Sequence, residues 1–194
     1  MKICLKIFFL SVFVVAFAKV SFADEYKYNF RKTTWGMSKD QVKSTEPLKV
    51  AKEDTNLLGY KTTVIGKDVL VIYIFVDNQL VRTKYALVES HSNKNDFITD
   101  YNGFKEILTK KYGDPKQDKT VWRKDLYKDD YARWGTAISR GDLIYLSSWD
   151  TNNTEIVTVL SGENYKISCI VEYSSKNLKE IEEKAKEKKA LDAF

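Results

Sequence analysis

The chain holds one histidine, two cysteines, two prolines and eight glycines in 194 residues, and each shortage closes a class of function. A single histidine, His91, cannot build a zinc site on two imidazoles. It lies between Ser90 and Ser92, where an exposed loop position with no orienting carboxylate is expected. On that reading neither a Ser-His-Asp nor a Cys-His arrangement is available. Cys4 falls in the leader described below, which leaves Cys169 and excludes an internal disulfide. Cys169 shares an alternating run with Tyr165, Ile167, Val171 and Tyr173. The period of two predicts that it packs in the core as a small hydrophobe and is not a reactive thiolate. Glycine-rich phosphate loops and dinucleotide fingerprints are absent. No apolar run reaches the roughly 20 residues needed to cross a bilayer, so stable membrane insertion is not expected.

What is present begins with an export signal. Lys2 and Lys6 precede an uncharged apolar stretch from Ile7 to Ala18, and Ser21-Phe22-Ala23 supplies small residues before Asp24. This predicts a cleaved leader over 1–23 and a secreted or periplasmic protein. Removing the leader's three lysines takes the formal charge from +5 to +2. A nearly balanced charge argues against a nucleic-acid binder, which would need a basic stripe. Hydrophobic residues at 43% suffice for a core, and aromatics reach 13% with 12 tyrosines.

Local signals place the elements. Ser38 and Gln41 have the spacing of a capping box, with Met37 and Val42 as its staple, so a short helix starts at Lys39. Pro47 stops it by Glu46. Leu57 to Val64, Asp68 to Val76 and Gln79 to Val88 read as strands, with Asp77-Asn78 as a two-residue hairpin turn. The apolar run from Val69 to Phe75 predicts a central strand covered on both faces. Phe97, Tyr101, Phe104 and Leu108 form a helical stripe over Asp96 to Tyr112, closed by Gly113 and Pro115. Strands recur at Lys119–Lys124, Leu143–Trp149, Thr154–Leu160 and Tyr165–Ser174, with a short helix between Asp129 and Arg140. Glu180 with Lys184 and Glu182 with Lys186 are favourable pairs in a charged terminal helix.

The predicted class is therefore α+β: tandem helix-plus-antiparallel-sheet units with helices on one face, each unit a helix followed by three strands, and a C-terminal charged helix. The divisions are 1–23 for the leader, 24–92 for the first unit, 93–175 for the second unit with an aromatic insertion, and 176–194 for the charged helix.

Gly36-Met37-Ser38-x-x-Gln41-Val42 is similar to the helix signature of the small outer-membrane assembly lipoproteins of the SmpA/OmlA type. Tyr112-Gly113-Asp114-Pro115 is similar to that family's helix ending. The tandem helix-plus-sheet unit resembles the β-lactamase-inhibitor-protein fold. Trp35 to Val42, Trp122-Arg123-Lys124-Asp125, Trp134-Gly135 and Leu160 to Tyr173 resemble a group of uncharacterised secreted bacterial proteins. The resemblance implies the fold, an exported life and, in one version, an accessory role in envelope assembly. Fold alone does not fix function.

Two clusters carry chemistry. Asp125, Asp129, Asp130, Asp142 and Asp150 could supply a carboxylate pair or a cation site, but their spacing is not that of a calcium loop and Lys124 and Lys128 interleave. Trp122, Tyr127, Tyr131, Trp134 and Trp149 are either core of the second sheet or, if exposed, anchors for a protein, peptide or glycan partner. Trp35 has the same two readings. The leading expectation is a non-enzymatic binding module with no cofactor and no bound metal. An envelope-assembly accessory is the first alternative and a carboxylate-dependent hydrolase using Asp129, Asp130 or Asp142 the second.

Overall fold

The computed structural model describes residues 27–192. The expected leader, its cleavage site at Ala23, Tyr26 and the terminal Phe194 lie outside the described residues. Eight strands form an antiparallel sheet in the order β1-β2-β3-β4-β8-β7-β6-β5. The strands are β1 (Val50–Asp54), β2 (Leu57–Val64), β3 (Lys67–Val76), β4 (Gln79–Leu87), β5 (Gln117–Trp122), β6 (Leu143–Asp150), β7 (Thr154–Glu163) and β8 (Lys166–Ser175). The helices are α1 (Lys39–Thr45), α2 (Asp96–Tyr112), α3 (Trp134–Ser139) and α4 (Lys179–Leu191), with one 3-10 turn at Tyr131–Arg133.

Short-range chemistry acts as expected at the element ends. Ser38 Oγ accepts from the Gln41 amide, and Gln41 Oε1 accepts from the Ser38 amide at 2.8 Å. Asp77 and Asn78 take positive φ of 49° and 59°, the left-handed pair that matches strand twist in a two-residue hairpin. Gly113 ends α2 at φ 81°, where a side chain would be strained.

Four expectations are corrected. The first helix is followed by four strands instead of three, because Val50–Asp54 also pairs, with β2. Its sequence shows no apolar alternation since four of its five residues are exposed, as suits an edge. The strands make a continuous sheet, closed in the middle where β4 pairs β8. Third, β3 is fully buried on one side only: Val69, Val71, Tyr73 and Phe75 are buried, while Leu70, Ile72, Ile74 and Val76 stay partly exposed. Last, the helices do not share a face. Tyr101 of α2 bonds Ser147, and Glu46 after α1 bonds Tyr73, both on the buried side. Arg82 alternates away from that side, and it ion-pairs with Glu182 of α4 at 2.6 Å. So α4 lies across the opposite face, at the β3–β4 end.

The centre of the molecule is aromatic. Phe30 packs against Tyr73, Tyr85 and Tyr173 with ring centroids 5.6, 4.8 and 5.0 Å away. Glu46 is buried beneath α1 and takes two bonds from Arg31, at 2.7 and 3.1 Å, plus the Tyr73 hydroxyl. Burial, reinforced by Glu46, raises the Tyr73 phenol far above its usual range, so it stays a donor at any ordinary pH.

Candidate functional site

Trp122 ends β5 and stands opposite Leu143, which is fully buried. Alternation therefore turns the indole toward the core side. Residues 123–133 leave the sheet and return as α3. Asn95, at the start of α2, fixes that return: its Oδ1 accepts from the Gly135 amide at 2.6 Å and its Nδ2 donates to the Tyr131 carbonyl at 2.8 Å. The Asn95 side chain is spent on the insertion and makes no cap bond to its own helix. Gly135 is required by the approach: a Cβ there would lie 2.3 Å from the Lys94 carbonyl carbon.

This scaffold presents four of the five predicted aromatics together. Trp122 and Trp134 meet edge to face at 5.6 Å, and Tyr131 meets Trp134 at 5.0 Å. Trp134 Nε1 donates to the Lys128 carbonyl at 3.1 Å. Tyr127 has the guanidinium groups of Arg133 and Arg140 each 5.6 Å from its ring, a cation–π pairing. Trp122, Tyr127 and Trp134 are half-buried against the core edge. Tyr131 is 61% exposed, and Leu126, next to Tyr127 in the chain, 66%. The result is a shelf of apolar surface around a rigid indole pair.

Trp149 is not part of it. The structure places Trp149 in the core, 1% exposed, with Nε1 donating to the Gly113 carbonyl at 2.9 Å. It braces the end of α2 against β6 and cannot meet a partner. Trp35 likewise packs on the core and donates from Nε1 to Thr154 Oγ1 at 2.9 Å.

His91 overturns its expectation. It lies in a loop, but its side chain is only 15% exposed and its Nε2 sits 2.5 Å from Asp100 Oδ2. Asp100, 1% exposed at its side chain, also takes Lys67 Nζ at 2.8 Å on Oδ1. Phe97 closes one side of the imidazole with ring centroids 4.6 Å apart. A buried carboxylate needs partners, and His91 and Lys67 are those partners. The sequence did carry a signal: Asp100 is three residues after Phe97 and four before Phe104, inside the apolar stripe of α2. The Asp100 charge also reaches Cys169. That thiol is buried, and burial with the nearby carboxylate pushes it up to about 12. Its reactive form is thereby suppressed.

The acidic cluster disperses. Asp125 pairs with Lys128, Asp130 with Arg133 and the buried Asp142 with Arg140 at 3.0 Å. Asp150 bonds Lys116 and Lys176, and the Lys116 bond leads in holding it below the usual carboxylate range. Asp129 is exposed. Among the described residues no three histidine, cysteine or acidic groups converge to hold a metal. No helix among the described residues is long and apolar enough to cross a membrane.

No family model matches the chain, and no match is found among curated proteins or solved structures.

Proposed function

We propose that this chain is an exported, non-enzymatic binding module that engages a protein, peptide or glycan partner through the shelf of Trp122, Tyr127, Tyr131 and Trp134. The observation that carries the reading is the exposure of Tyr131 and Leu126 beside a fixed indole pair. Rigid aromatics lose little conformational entropy on binding and dominate interface energetics. Residues 24–92 and 93–175 serve as tandem helix-plus-sheet units, supported by a strand order in which each half is a four-strand meander and the two last strands pair. The export leader at 1–23 puts the shelf in the envelope or outside the cell. The test is a screen of peptide and glycan arrays with the wild-type protein and with Tyr131→Ala/Leu126→Asp. The reading requires at least one ligand whose retention falls about tenfold in the double variant, a loss of roughly 1.4 kcal/mol. Equal retention by both proteins removes it.

The contact between His91 and Asp100 favours a second reading, general acid–base chemistry at an oriented imidazole. No serine or cysteine is hydrogen-bonded to His91 among the described residues. A hydrolase screen comparing wild type with His91→Asn decides it: the reading needs an activity that the variant loses.

A further inference from the structure

We propose that the outer edge of β5 is a strand-addition site for an extended acidic segment of a partner polypeptide. This deepens the binding reading by naming the partner class and its register. β5 has a neighbouring strand on one side only among the described residues. Its pairing with β6 runs without a bulge from Gln117 to Trp122, and the Arg123 amide donates to the Asp142 carbonyl at 2.7 Å. In an antiparallel ladder the bonded positions alternate. Residues 119, 121 and 123 therefore spend their main-chain groups on β6, and the N–H and C=O of Asp118, Thr120 and Trp122 point outward. An extended peptide is the chemistry that satisfies such a row.

Side chains next to the edge set the partner's character. Lys119 and Val121 stand opposite Leu146 and Ile144 on the open face, and Arg123 continues that row. Among the described residues Lys119, Arg123 and the adjacent Lys124 have no acidic partner, whereas Asp118 is held by Lys105 at 2.9 Å and Asp125 by Lys128. Burial raises the Asp118 carboxyl, but its bonds from Ser147 and Lys105 outweigh that and keep it below the usual range. The edge is thus cationic on balance. On the core side an added strand would set one side chain beside Trp122, over the indole pair and Tyr131. An antiparallel segment reading acid, aromatic, apolar, threonine, acid matches positions 123 down to 119. A second copy of this chain fits worse, since two-fold pairing at Thr120 doubles the cations and sets Lys116 against Lys124.

The probe is fluorescein-labelled Ser-Glu-Phe-Val-Thr-Glu-Ser, titrated with the purified protein and read by fluorescence anisotropy. Expected is saturable binding, weakened at least about tenfold when the Phe and Thr amides, which face β5, are N-methylated, as main-chain bonds are lost. N-methylation of the Val amide, which faces away, changes it less than about twofold. Thr120→Pro in the protein gives a similar tenfold loss. Lys119→Glu with Arg123→Glu also weakens binding, and replacing both peptide glutamates by lysine restores it. No saturable binding overturns the proposal. So does equal sensitivity to methylation at all three amides; if Tyr131→Ala still weakens binding in that case, the shelf reading survives and strand addition alone fails. A doubled molar mass by sedimentation that Thr120→Pro returns to monomer also overturns it, assigning the edge to a second copy.

Discussion

The two edges of the sheet are built in opposite ways. β1 is charged over Lys52-Glu53-Asp54, and its pairing shifts register between Val50 and Lys52. Helix α1 reaches over it: Lys43 pairs with Glu53 at 2.5 Å, and Lys39 Nζ donates to the carbonyls of Asp54 and Thr55 at 2.5 and 2.6 Å. Bulges and charges are the devices by which natural sheets block edge-to-edge pairing. β5 has a regular ladder, an exposed Val121 and cations that no acid among the described residues answers. One edge is tied to α1 through Glu53 and the Asp54 carbonyl. The other lies next to the aromatic shelf, with no strand on its outer side among the described residues.

The contrast can be broken or sharpened by measurement, starting with its supports. Arg31→Met removes the ion-pair partner of the buried Glu46 in the β1 half. Stranding a buried carboxylate costs about 3 kcal/mol, read as a lowered urea midpoint. In the β5 half, Gly135→Ala forces a Cβ into the Lys94–Asn95 backbone. The expected loss is about 2 kcal/mol, accompanied by a red shift of tryptophan emission as the Trp122–Trp134 pair opens. Lys52→Val with Asp54→Val removes the protection of β1 at a stability change within about 0.5 kcal/mol. Light scattering should then rise with protein concentration; an unchanged monomer would show that the α1 lysines and the bulge suffice alone.

Smaller effects concern titration. Burial raises the Glu182 carboxyl, but Lys186 and Arg82 outweigh it and leave it below the usual value. A depressed acid contributes stability that is present above its unfolded pKa, about 4.3, and is lost as pH falls through the folded value. Amide exchange in α4 should therefore accelerate below pH of about 4, with β3 and β8 still protected. Cys169 should resist thiol reagents at pH 8 in the folded protein and react once unfolded, because its thiol is raised to about 12.

Much of this architecture is written in short stretches of the chain. The capping box at Ser38–Gln41, the Asp77-Asn78 turn, the α2 stripe and the Gly113 stop are each decided by fewer than ten neighbouring residues, and each lies where the pattern puts it. Trp122, Tyr127, Tyr131 and Trp134 were legible as a group, but their separation from the buried Trp149 was not. The indoles look alike in sequence. What divides them is that Trp149 lies on an inner strand beneath α2, while Trp122 ends an edge strand.

His91 teaches the same point from the other side. Its loop position follows from local composition, yet its burial depends on Asp100 from α2 and Lys67 from β3. By itself, then, the sequence determined which segments are helix, strand and turn, the exposed β1 excepted, because caps, periodicity and backbone preferences act between near neighbours. Tertiary structure alone decided which strand lies at an edge, which face α4 covers and which charges go unanswered. Those depend on contacts between residues tens of positions apart, whose pairing no local pattern specifies.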